Sequence, residues 1–150
     1  MTDPRQTYAE AECEIRQLMA RVGAFYDEQD YGPMLDLFTE DAEFMCPPSR
    51  RELRGKAEIL ADISKSPENR LVRHLMTNII VDLHDENSAS SRCYVIAGAN
   101  LGGRPLVKAV PLMGAPVIGE YLMKFRRENG VWKVLRKETV EVFCGQTVTF

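Results

Sequence analysis

The sequence predicts an α+β fold with N-terminal helices segregated to one face of a strongly curved, antiparallel sheet. Three observations carry this. Apolar residues recur at steps of three and four in the first 63 positions, the hydrophobic period changes to two from Leu71 onward, and turn signals divide the second half into four long segments. A chain of 150 residues, 45% hydrophobic and 27% charged, suits one domain, 1–150, with a single core.

Asp3 before Pro4, with Gln6 three residues after the cap, opens the first helix. Ile15, Leu18, Met19, Val22, Phe25 and Tyr26 then lay an apolar stripe along about six turns. Asp27 falls one position beyond Tyr26, on the edge of that stripe, which sets a carboxylate at the core boundary. Gly32 and Pro33 break the chain, and Met34 to Phe38 makes a short second helix with Asp30 as its cap. Glu40 and Asp41 face solvent, Ala42 to Cys46 is a short strand, and Pro47-Pro48 with Arg50-Arg51 form a loop. Lys56 to Ile63 suits a third helix with Ile59, Leu60 and Ile63 on one side, ended by Ser66-Pro67-Glu68-Asn69. Four strands follow: Leu71 to Leu83, Ala89 to Leu101, Val117 to Arg127 and Val131 to Phe143. They are joined by Asp85 to Ser88, by a Gly/Pro-rich loop from Gly102 to Pro116, which is a lid or an oligomer contact, and by Asn129-Gly130, a hairpin turn.

Composition excludes several function classes. A net charge of -3, from 22 acidic and 19 basic residues, gives no footprint for a nucleic acid. Neither a signal peptide nor an apolar run near the roughly 18 residues of a membrane span is seen, so a cytoplasmic location is expected. Cys13, Cys46, Cys93 and Cys144 form no C-x-x-C pair and read as reduced packing residues. His74 and His84 would stand about 33 Å apart on one extended strand, so no metal site is expected. Gly102-Gly103 lacks the setting of a phosphate loop, and no Gly-x-Ser-x-Gly elbow occurs.

The sharpest candidate for chemistry is His74, in Arg73-His74-Leu75-Met76-Thr77-Asn78. Alternation places His74, Met76, Asn78 and Ile80 on one face, so the imidazole looks into a mainly apolar region with one amide nearby. A core histidine bonded to a backbone carbonyl would have the same pattern; a functional one needs a partner. Asp27 can be that partner if the first helix crosses the concave face, because a carboxylate on one imidazole nitrogen leaves the other free to take a proton. Otherwise it is a solvated acid at a helix end, where the dipole opposes it. Tyr26, Phe44, Met76, Asn78, Tyr94 and Tyr121 are the candidate substrate-binding residues. Arg126 and Arg127, next to a turn, read as surface charges.

The series Tyr26-Asp27, Asp41-Ala42-Glu43-Phe44, Arg54-Gly55-Lys56-Ala57-Glu58-Ile59, Arg73 to Asn78, Gly119-Glu120-Tyr121 and Gly130-Val131-Trp132-Lys133-Val134 resembles the SnoaL-like branch of the nuclear transport factor 2-like superfamily. Its order and spacing span nearly the whole chain, and the resemblance implies a cone-shaped, mixed or antiparallel sheet with the N-terminal helices over its concave face and a pocket enclosed between them. Members of that kind include scytalone dehydratase and hexachlorocyclohexane dehydrochlorinase, and the resemblance implies a catalytic dyad of the first-helix aspartate and the first long strand's histidine, here Asp27 and His74. It further implies proton abstraction without metal or organic cofactor, and elimination or isomerisation of a hydrophobic small molecule, dehydration first. The dehydratase's second pocket histidine has no counterpart in Ala89 to Leu101, which leaves leaving-group assistance unassigned. The carboxylate pattern of ketosteroid isomerase is not clearly reproduced.

The superfamily also implies alternatives. The chain resembles β subunits of ring-hydroxylating dioxygenases around Val72 to Val81, where the fold is structural, and other relatives only bind ligands or partners. Polyketide cyclisation or epoxide hydrolysis would need an added acid and arginine constellation. A homodimer or homotrimer is expected on either view.

Overall fold

The computed structural model describes residues 7–143. Helix α1, Tyr8–Glu28, begins with a capping box: the Thr7 hydroxyl accepts from the Glu10 N–H and the Glu10 carboxylate accepts from the Thr7 N–H. The start expected at Asp3 and Pro4 lies outside the described residues, as does Cys144. Ala11, Ile15, Leu18, Met19 and Val22 bury the inner stripe, and Asp27 extends it.

Helix α2 is Tyr31–Asp36, so Gly32 and Pro33 lie inside it instead of breaking the chain before it. Proline is tolerated in a first turn, where its missing N–H would have no helical acceptor. Asp30 occupies the N-cap position without a side-chain capping bond. Phe38 therefore opens strand β1, Phe38–Cys46, which is longer than Ala42 to Cys46. After a 3-10 turn at Pro47–Ser49, the segment expected as loop forms edge strand β2, Arg51–Arg54. Helix α3, Gly55–Ile63, buries Ile59 and Ile63, one turn apart, while Leu60 is turned away and exposed.

Strands β3, Arg70–Leu83, β4, Ser88–Leu101, β5, Val117–Glu128, and β6, Val131–Phe143, match the period-two segments. The β5–β6 turn has positive φ at both Asn129 and Gly130, as a two-residue hairpin requires. The sheet order is β2-β1-β6-β5-β4-β3, antiparallel except for the parallel pair β1 and β6, so the sheet is mixed and unclosed. Irregularities of register, which bend a strand, fall between Thr77 and Ile80, at Ile118–Gly119 and opposite Lys124–Phe125.

The first irregularity resets the strand that carries His74. Asn78 adopts φ 53°, one added residue enters β3, and the inward set becomes Val72, His74, Met76, Ile79 and Val81. Asn78 and Ile80, expected beside His74, point outward and are exposed.

Strand β3 is a sheet edge, and α1 seals it. The Tyr8 hydroxyl donates to the Val81 carbonyl at 2.7 Å, Arg16 donates to the Ile79 carbonyl at 2.7 Å, and the His74 N–H donates to Asp27 Oδ2 at 2.9 Å. The helix spans about 28 Å from Tyr8 to Asp27 and the strand about 23 Å from Val81 to His74, so the two run antiparallel with their bonds in step. The loop 102–116 covers the outer face of β4: Leu112 packs on Gly98, and the Met113 N–H donates to the Ala99 carbonyl at 2.9 Å.

Gly119 is buried at the β5 irregularity, where an added Cβ would run into the Val140 carbonyl oxygen. Gly119→Ala should lower stability by about 3 kcal/mol, read as a fall in the urea midpoint with an unchanged slope.

Candidate functional site

Asp27 sits in the last turn of α1 with its side chain 8% exposed, and it reaches across to β3. Its Oδ1 lies 2.5 Å from His74 Nδ1 while Oδ2 takes the His74 backbone N–H at 2.9 Å. One carboxylate thus fixes both the ring and the strand that bears it. A carboxylate can only accept, so Nδ1 carries the proton and the neutral ring keeps its lone pair on Nε2. That nitrogen makes no hydrogen bond among the described residues. A negative charge at a helix C-terminus opposes the dipole. Arg104 offsets this, donating to the Asp27 carbonyl and to Glu28, each at 3.3 Å, and Arg73 pairs with Glu28 at 3.0 Å.

The imidazole lines a cavity of about 160 Å³ between α1 and the concave face of the sheet. Tyr26 meets the ring edge-on at 5.5 Å and Tyr121 lies 6.4 Å away. Met19, Met34, Met76 and Met123 supply much of the apolar wall, with Phe38 and Phe44. Methionine is flexible and polarisable, so this wall can adapt to a ligand.

Of the expected site residues, Tyr26, Phe44, Met76 and Tyr121 line the cavity with His74, and Asp27 stands behind the imidazole. Asn78 and Tyr94 do not. The bulge turns Asn78 out, and alternation along β4 buries Cys93 and Val95 while leaving Tyr94 44% exposed on the outer face. The cysteine reading is corrected at one position: Cys93 is buried and Cys46 half-buried, but Cys13 is exposed. Among the described residues no group of three or more His, Cys, Asp or Glu side chains could hold a metal ion, and no helix is long and apolar enough to cross a membrane.

Sequence reasoning missed Lys137. Plain alternation from Trp132 and Val134 would put Arg136 inside and Lys137 outside; the register shift opposite Lys124–Phe125 adds one residue to β6 and reverses that parity. Lys137 is 8% exposed and its Nζ lies 3.5 Å from the Tyr121 ring centroid and 4.6 Å from that of Phe44. Its hydrogen-bond partner is the Thr139 hydroxyl at 3.4 Å, and no carboxylate pairs with it among the described residues. Burial pushes the amine down to about 8, and burial likewise pushes the Tyr121 phenol well up.

A family model, the SnoaL-like domain, matches residues 7–138. The chain belongs to the SnoaL-like domain family. The match takes in α1, the dyad strand and Lys137. No curated protein matches the sequence. Among solved structures, a proposed scytalone dehydratase from Novosphingobium aromaticivorans is 22% identical over 93% of this chain and 89% of that one, with a TM-score of 0.73. A proposed aromatic ring hydroxylase from the same organism is 25% identical, over 94% of this chain and 96% of that one, with a TM-score of 0.74. An NTF2-like protein with a cystatin-like fold, also from that species, is 22% identical over 89% and 83%, with a TM-score of 0.71. These likenesses establish the nuclear transport factor 2-like cone for this SnoaL-like protein.

The buried amine has a signed effect on stability. Between pH 8 and 10.5 the unfolded lysine holds a proton that the folded one has lost, so its burial cost is full below pH 8 and fades as pH rises toward 10.5. Lys137→Met should therefore be the more stable protein at pH 7, by about 3 kcal/mol, with the gain shrinking by pH 10 in urea titrations.

Proposed function

We propose that this protein is a cofactor-independent lyase or isomerase in which His74 is the general base and Asp27 holds and supports it. The observation that carries the reading is the division of labour on one ring: Nδ1 is taken by a buried carboxylate at 2.5 Å, and the imidazole lines an apolar cavity with Nε2 unpaired among the described residues. His74 Nε2 removes a proton from a carbon next to an activating group, and the Asp27 carboxylate stabilises the imidazolium that results. The electron pair left behind expels a group from the neighbouring carbon, water in the first instance, or shifts a double bond. An apolar cavity of this size suits a small hydrophobic substrate of one or two rings. The resemblance in fold to a proposed scytalone dehydratase supports elimination.

A second reading is favoured by the likeness to a proposed aromatic ring hydroxylase. There the Asp27–His74 pair would be a buried polar tie in a subunit without chemistry of its own. An obligate association with an iron-sulfur oxygenase chain would mark that case.

The deciding experiment follows β-hydroxy carbonyl compounds by proton NMR in heavy water, reading product formation and exchange at the acidic carbon. His74→Ala should lower the rate about 10²- to 10⁴-fold with an unchanged circular dichroism spectrum. Undiminished turnover in the His74→Ala variant would reject the mechanism.

A further inference from the structure

Lys137 takes no part in the proton abstraction, yet it lines the same cavity as His74. The Tyr121 ring contacts both, 6.4 Å from the imidazole and 3.5 Å from the amine, which keeps the two groups within the span of one small molecule. A buried cation that meets, among the described residues, ring faces and one long hydroxyl contact is poorly matched, and the partner that would match it is an oxygen carrying negative charge. The Asp27 carboxylate, which stands behind the imidazole, has both its oxygens bonded to His74.

We propose that the Lys137 ammonium binds the substrate's carbonyl oxygen and holds the enolate that forms when His74 takes the α-proton, so that the substrate class is small hydrophobic ketones, enones and acyl compounds. This rests on the general-base reading above. The α C–H bond breaks, its proton goes to Nε2, its electron pair becomes the carbon–carbon double bond, and the carbonyl pair moves onto the oxygen held by Lys137. On collapse the carbonyl re-forms and the β-hydroxyl leaves, taking the proton from the imidazolium as water. For isomerisation the same proton is returned at the γ-carbon. A cation placed beforehand where charge develops, in a site of low dielectric, acts on the transition state more than on the neutral ground state.

The test uses para-nitrophenol as an enolate mimic whose ionised form is coloured, and nitrobenzene as its neutral counterpart. At a pH where the free phenol is mostly protonated, the wild-type protein should bind it as the coloured phenolate. Lys137→Met should weaken phenolate binding about 10- to 100-fold while nitrobenzene binding stays within about threefold. His74→Gln should keep the preference for phenolate. Turnover of β-hydroxy ketones by Lys137→Met should fall about 10²- to 10³-fold, mainly in kcat. Four results would overturn the proposal: phenol bound neutral by the wild type, phenolate preference surviving in Lys137→Met, preference lost in His74→Gln alone, or loss of both ligands in Lys137→Met and Lys137→Gln alike. Unchanged turnover in His74→Ala with intact phenolate binding would instead remove the general-base reading and leave the anion site standing.

Discussion

The carboxylate of Asp27 joins the end of a helix to the free edge of a sheet. Through Oδ2 it satisfies a backbone N–H that β3 would otherwise present to solvent, and through Oδ1 it sets the tautomer and orientation of the His74 ring. The same contact that docks α1 therefore poises the proposed base. The Tyr8 and Arg16 bonds farther along β3 hold the helix alongside the strand, so Asp27 arrives at His74 with little freedom. Arg104, coming from the loop after β4, supplies the positive charge that a helix C-terminus carrying a carboxylate needs.

The cavity behind this contact is kept at a cost. A fully apolar interior would be the more stable one, yet an imidazole and an ammonium, the one without a partner at Nε2 and the other without a carboxylate among the described residues, both face it. Local conflicts of this kind concentrate where a protein binds or reacts. The methionine-rich wall fits the same picture, since flexible side chains can close around ligands of differing outline.

Much of the architecture was legible in the order of hydrophobic periods. The four long strands, the Asn129-Gly130 hairpin and the inner stripe of α1 follow from local patterning, and Asp27 and His74 could be singled out because each broke an apolar pattern at its edge. The misplacements share one cause. Asn78 was expected inside and Lys137 was overlooked because a bulge in β3 and another in β6 each add one residue, and every side chain beyond such a point changes face. Tyr94 failed differently: both parities of β4 carry apolar residues, so nothing local says which one faces the core.

What the sequence by itself determined is the class of fold and the candidacy of Asp27 and His74 for chemistry, since both rest on periodicity and on side-chain chemistry within a few positions. Only the tertiary structure decided that the carboxylate meets the imidazole, that a cavity stays open between α1 and the sheet, and that a lysine from the last strand lines it. Those facts depend on how bulged strands curve and on which edge a helix covers, and such long-range geometry leaves no mark in any short stretch of residues.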